Sequence, residues 1–209
     1  MRIGDKTYWN SFVSVPSGLT IPEMNALASI FNNGIGEEVQ SAEVGDISNP
    51  EAEAAEGIRR SKVKWLQYED FVESGCVGID QKIVNKINEI NDTYFKFDLS
   101  HIEPFQLTQY DASEKGKYDF HTDSGSMQDN ILRKLSFIIP LVPLEQYEGG
   151  HLQFMMGSKE LTDVTKDKPE FAQAGMIIAF PSHVLHAITP VTKGTRYSLV
   201  GWCNGPRFK

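Results

Sequence analysis

The chain reads as an α+β domain, helices first and a run of short strands afterwards. Three observations carry this. Apolar residues repeat at helical spacing in two stretches before residue 100. From Glu103 onward, short segments rich in Val, Ile, Phe, Tyr and Thr alternate with glycine, proline and acidic turns. A length of 209 residues suits one compact domain with its own core. Helical support over 1–102 and a strand core over 103–204, shaped as a barrel or two-sheet sandwich with the site at its mouth, is the expected division.

Taken in order, Thr20-Ile21-Pro22-Glu23 has the form of a capping box with proline in the first turn. Met24, Leu27, Ala28 and Phe31 then recur at helical spacing, and Asn32-Asn33-Gly34 ends the run. Residues 41–57 hold five acidic side chains among alanines, Gly45 and Pro50 with no apolar period. They read as a surface loop, a lid over 41–60. Ser61 to Leu66 reads as a strand, with Val63 and Trp65 alternating against Lys62 and Lys64. Ile79, Ile83, Ile87 and Ile90 mark a second amphipathic helix. The expected strands beyond it are Pro104–Asp111, Lys117–His121, Leu132–Leu141, His151–Met155, Gly175–Phe180, His186–Val191 and Thr195–Trp202.

Bulk properties narrow the function. A formal charge of −8, with no long run of Lys or Arg, makes nucleic acid a poor partner. No apolar stretch reaches the length of a membrane span, and the N-terminus lacks the apolar region of a secretory signal. Cys76 and Cys203 are too few for a disulfide framework, so a reducing, cytoplasmic setting is expected.

The chemistry lies in His121-Thr122-Asp123 and in the distant His186 and Arg196. Two imidazoles and a carboxylate can take one face of a ferrous ion and leave the other positions open, the pattern of non-haem iron oxygenases. Residues i and i+2 on a strand share a side, so His121 and Asp123 can face one ion. His-x-Asp alone is also the ordinary end of a surface strand carrying one titratable histidine. His183 and His186 compete for the third ligand, each with a cation ten residues on. Lys193 lies in what reads as an exposed hairpin turn, whereas Arg196 lies inside an apolar strand, sharing a face with Ser198, Val200 and Trp202. A buried arginine needs a partner, either an internal carboxylate or the distal carboxylate of 2-oxoglutarate, gripped with help from Ser198. His186 is therefore the ligand and His183 a loop residue. His101-Ile102-Glu103 and His151 read as polar turn or cap residues.

Tyr110, Tyr118-Asp119-Phe120-His121-Thr122-Asp123, Glu148-Gly149-Gly150, Phe180-Pro181-Ser182, His186 and the run from Pro190 to Trp202 together resemble the prolyl 4-hydroxylase-like Fe(II)/2-oxoglutarate dioxygenases, in particular their short bacterial and phage-borne members. The resemblance implies a double-stranded β-helix (jelly roll) braced by N-terminal helices. It implies iron ligands His121, Asp123 and His186, with Arg196 and Tyr110 on the cosubstrate's distal carboxylate. Tyr118 and Trp202 would line the space between cosubstrate and substrate. Relatives that place a tyrosine late on the Leu132–Leu141 strand differ from this chain, which has Ile139-Pro140. Others carry threonine where Leu152 stands. The implied activity is hydroxylation of an unactivated C–H bond with Fe(II), 2-oxoglutarate and O2, with ascorbate as a reductant by family analogy. No side chain need act as acid or base. A prolyl residue in a peptide or protein is the implied substrate, and Arg59 and Arg60 would steer an acidic segment. A free amino acid or other small molecule as substrate, and a metal-binding jelly roll without oxygenase activity, are the alternatives.

Overall fold

A computed structural model describes residues 11–33, 39–41, 58–124, 131–156 and 160–207. In chain order the elements begin with β1 (Val13–Pro16), α1 (Ile21–Ser29), β2 (Gln40–Ser41), β3 (Arg59–Arg60), β4 (Lys62–Leu66), α2 (Tyr68–Glu73) and α3 (Ile79–Ile90). Next come β5 (His101–Ile102), β6 (Phe105–Asp111), β7 (Lys117–His121), β8 (Ile131–Pro140), β9 (Tyr147–Gly149), β10 (Leu152–Met156) and β11 (Glu160–Asp163). The chain closes with α4 (Val164–Asp167), β12 (Met176–Pro181), β13 (Leu185–Ile188) and β14 (Val191–Pro206). Among the described residues no helix is long and apolar enough to cross a membrane. Most of the lid expected over 41–60 falls on residues 42–57, outside the described residues.

The strands form two antiparallel sheets, a jelly roll. The major sheet runs β1-β12-β8-β14-β6-β4-β2, with β5 and β9 added alongside β14. The minor sheet runs β11-β10-β13-β7-β3. Strand periodicity sorts the core into two layers. On β8, Leu135, Phe137 and Ile139 face the helices, while Ile138 joins Phe154, Ile178, Phe180 and Ile188 between the sheets. Ile79, Ile83, Ile87 and Ile90 of α3 lie buried on the first layer beside Met24 and Leu27 of α1. Burying each such side chain contributes about 1.5–3 kcal/mol, so helices and major sheet stabilise one another. The capping box is present: Glu23 accepts from the Thr20 backbone N–H and Thr20 accepts from that of Glu23.

Several local expectations change. Lys64 is buried as well as its neighbour Val63, so β4 is covered on both sides there; the Lys64 Nζ donates to the Ile30 carbonyl at 3.2 Å, closing the end of the first helical segment. His101 and Ile102 form a strand against β14 rather than a turn, and Glu103 pairs with Arg133. His151, read as a polar turn or cap residue, pairs with Asp163 of the neighbouring strand at 3.1 Å. Lys193 is exposed as expected, but it sits in β14 opposite Glu148 and pairs with it instead of forming a turn. Cys76 and Cys203 are free and buried in the helix-side core.

Candidate metal centre

The last residue of β7 and a residue of β13 stand directly opposite each other: His121 pairs with His186 across the minor sheet. Their rings lie 4.2 Å apart, centroid to centroid. Asp123 completes the group, but not by strand alternation. β7 ends at His121, and Asp123 lies beyond it, anchored where its backbone N–H donates to the Ser182 carbonyl at 2.8 Å. The three side chains offer ligand atoms that all lie within 4.8 Å of one another.

The hydrogen bonds behind the rings settle which nitrogens face inward. His121 Nδ1 is 2.8 Å from the Asp119 carbonyl, and His186 Nδ1 is 2.9 Å from the Val184 carbonyl. A carbonyl only accepts, so each Nδ1 carries a proton and each ring turns its Nε2 toward Asp123. His121 Nε2 is 3.6 Å from Asp123 Oδ1, and His186 Nε2 is 3.7 Å from Asp123 Oδ2. Burial, with His186 adding to it, holds the His121 pKa down to about 4, so the ring is neutral at pH 7. Burial works against a charged Asp123, but the two histidines and the Ser136 hydroxyl more than offset it and keep its pKa below the ordinary value. Three potential ligand atoms thus converge on one place. Such a group could hold a cation, and its two-imidazole, one-carboxylate composition fits ferrous iron.

Tyr118 stacks on His121 with centroids 3.4 Å apart, and the Arg59 guanidinium carbon lies 4.5 Å from the Tyr118 centroid on the neighbouring strand. Arg59 is pinned there by Ser61 Oγ and Gln106 Oε1. Arg60 is exposed, so Arg59 comes to the centre and Arg60 does not. His183 is an exposed turn residue.

Deeper in the major sheet, Arg196 is 3% exposed, and its Nη1 donates to Ser198 Oγ at 3.1 Å. Tyr110 faces it across the β6–β14 ladder and is itself buried. Among the described residues no carboxylate pairs with Arg196. A buried guanidinium without an anion is costly. Gly150 makes room for it, since a Cβ there would sit 2.9 Å from Arg196 Cδ.

Sequence reasoning missed Ser136 and Ser182. Both are buried and share a hydrogen bond of 2.9 Å behind Asp123. Ser136 stood in a strand whose other residues read as plain core, and only the register opposite Trp202 shows its role. It also missed the bracing of Trp202 by Arg133.

Comparison with known proteins gives the wider setting. Residues 105–204 match the 2OG-Fe(II) oxygenase superfamily. A PKHD-type hydroxylase of Idiomarina loihiensis is 34% identical over 85 residues, which cover 41% of this chain and 35% of the relative. One from Alteromonas mediterranea is 38% identical over 95 residues, 43% of this chain and 39% of the relative. The chain thus spans little more than a third of the length of these relatives. Among solved structures, a Pseudomonas putida prolyl-4-hydroxylase superposes with a TM-score of 0.65 at 20% identity, covering 94% of each chain. A prolyl hydroxylase from Trichoplax adhaerens, in complex with a hypoxia inducible factor peptide fragment, superposes at 0.68 with 14% identity, covering 93% of this chain and 83% of the other. At these identities the likeness establishes the jelly-roll fold.

Proposed function

We propose, from the premise that residues 105–204 are a prolyl 4-hydroxylase-like 2OG-Fe(II) oxygenase domain, that the protein hydroxylates an unactivated C–H bond with Fe(II), 2-oxoglutarate and O2. His121, Asp123 and His186 would hold the metal. Arg196, assisted by Ser198 and Tyr110, would bind the distal carboxylate of 2-oxoglutarate. Iron held there would supply, together with the cosubstrate, the overall oxidation in which R–H, 2-oxoglutarate and O2 give R–OH, succinate and CO2.

The observation that carries this reading is the buried Arg196 guanidinium, unpaired with any carboxylate among the described residues and set into the same sheet-lined interior as the triad. A module that merely binds metal needs no such anchor. The chain's own groups bind and orient. The imidazoles and the Asp123 carboxylate would hold the metal, the guanidinium fork would fix the cosubstrate, and the apolar layer of Ile138, Phe154, Ile178 and Phe180 would keep water out.

A prolyl residue in a peptide or protein is the substrate class we favour. It is supported by the superposition on prolyl hydroxylases, one of them solved with a peptide. Arg59, over Tyr118, would be the side chain nearest an incoming peptide. The test is succinate formation from 2-oxoglutarate with Fe(II), with prolyl peptides and with free amino acids in parallel. His121→Ala should lose metal. Arg196→Ala should keep metal yet need more than about tenfold more cosubstrate, as expected for a lost charge-assisted bidentate contact. An unchanged requirement in Arg196→Ala would overturn the assignment. Turnover coupled only to free amino acids would overturn the peptide substrate.

A further inference from the structure

Trp202 presents an anomaly beside the candidate centre. The residue is 6% exposed, and its indole Nε1 is buried with no hydrogen-bond partner among the described residues. Buried indole N–H groups ordinarily find an acceptor, and one without an acceptor calls for an explanation. The ring is not loosely placed. Arg133 lies over it, 4.1 Å from guanidinium carbon to centroid, and Arg133 is itself fixed by an ion pair with Glu103. Asn204 donates to the same Glu103 carboxylate at 2.9 Å. Trp65 packs near it with centroids 5.8 Å apart, and Ser136 stands opposite in the β8–β14 ladder. A cation–π contact, an ion pair and two strands thus hold an unsatisfied donor rigidly in place. Asp123 is tied to the same spot: its backbone N–H donates to the Ser182 carbonyl at 2.8 Å, and Ser182 is hydrogen-bonded to Ser136, the residue opposite Trp202.

We propose that Trp202 is a positioning residue for the metal centre: its indole N–H donates to the Asp123 carboxylate once a divalent cation fixes that carboxylate. Asp123 Oδ1 is 3.6 Å from His121 Nε2, and Oδ2 is 3.7 Å from His186 Nε2. A carboxylate has lone pairs enough to bind a metal and still accept from a side chain behind it. The indole and the Ser136 hydroxyl are the donors placed to take up that capacity, and partners of this kind orient metal-binding carboxylates. Arg133 and Glu103 act one step further back by keeping the indole from turning.

The inference rests on reading His121, Asp123 and His186 as metal ligands, so the experiment separates the two. Co(II) is titrated into the metal-free parent protein, His121→Ala and Trp202→Phe, with affinity and melting temperature recorded. Phenylalanine keeps an aromatic ring under Arg133 and removes the N–H. Trp202→Phe should melt, metal-free, at the parent's temperature or slightly above it, while binding Co(II) about tenfold more weakly, the size of effect typical of such partners. A merely structural tryptophan would do the opposite, lowering the metal-free melting temperature and leaving affinity unchanged, and that result overturns the proposal. Failure of the parent to bind Co(II), or undiminished binding by His121→Ala, would overturn the ligand assignment as well. A second measurement needs no variant of Trp202. With 15N-labelled indoles, Zn(II) should move one tryptophan N–H resonance downfield and slow its exchange with solvent. That resonance should persist in Trp65→Phe. No downfield shift on Zn(II) would overturn the proposal.

Discussion

Tyr110 and Arg196 stand directly opposite each other in the β6–β14 ladder, with the guanidinium carbon 5.5 Å from the centre of the phenol ring. Both side chains are buried. The pairing brings two residues 86 positions apart (196 − 110) together, and under the proposed function they would hold the distal carboxylate of 2-oxoglutarate between them. Tyr110→Phe keeps the ring against Arg196 and deletes only the hydroxyl. One neutral hydrogen bond contributes about 0.5–1.5 kcal/mol. The apparent KM for 2-oxoglutarate should therefore rise roughly 3- to 10-fold, with kcat little changed. Steady-state succinate formation against 2-oxoglutarate concentration checks this, and an unaltered KM would place the hydroxyl off the cosubstrate.

Arg196 should also show an inverse relation between stability and function. Its buried charge has Ser198 as partner and no carboxylate among the described residues. Replacing such a group by an apolar side chain of similar length removes an uncompensated desolvation cost. Arg196→Met should melt, metal-free, no lower than the parent. The parent, loaded with a redox-inert metal, should gain melting temperature when 2-oxoglutarate is added, and Arg196→Met should gain none. A lower melting temperature in the metal-free variant would mean that the guanidinium has a structural partner.

How much of this was legible in the chain follows from the range over which each feature is determined. The α3 face is local, and the spacing of Ile79, Ile83, Ile87 and Ile90 reveals it directly. His186 was separable from His183 because the strand around Arg196 is too apolar to carry an arginine without purpose. What stayed hidden depends on register between distant strands. Nothing near Ser136 announces that Trp202 lies opposite, and nothing in Val13–Pro16 tells that it extends the major sheet beside β12. Lys64 alternates as an outward residue would, and only cover on both sides of β4 buries it. The i, i+2 argument for Asp123 assumed strand alternation, but the strand stops at His121 and Asp123 joins the two histidines from beyond it.

The metal-free centre should be acid-labile. His121 has its folded-state pKa lowered to about 4 by burial and by His186, against an ordinary value of 6.5. The unfolded chain therefore binds more protons than the folded one between those two values, and stability falls as pH falls through that window. Asp123, with its own pKa below the ordinary value, adds to the loss at still lower pH, in the same direction. The His121 contribution is on the order of 3 kcal/mol. Urea midpoints of chelator-treated protein should be flat above pH 7 and drop between pH 6.5 and 4. A non-titrating His121→Gln variant should flatten that drop, and an equal drop in the variant would contradict the assignment.

A last prediction concerns the helix-side layer that supports the strand carrying Arg196. Gly201 of β14 pairs with Phe137 of β8, and the phenyl ring lies over the glycine so closely that a Cβ would stand 2.3 Å from Cζ. The glycine is required by this approach rather than by its backbone angles. Gly201→Ala must push Phe137 out of a fully buried position among Phe105, Leu135 and Leu199. Overpacking of this kind costs about 1–3 kcal/mol. Shrinking the ring should relieve the clash, so Phe137→Leu combined with Gly201→Ala should be more stable than the sum of the two single changes by at least about 0.5 kcal/mol. Denaturant unfolding of the four proteins in the cycle measures this coupling. Strict additivity would show that the ring moves aside freely. In that case the 2-oxoglutarate KM of Gly201→Ala should also stay at the parent value, because Arg196 and Trp202 flank the glycine on the same strand and would be undisturbed.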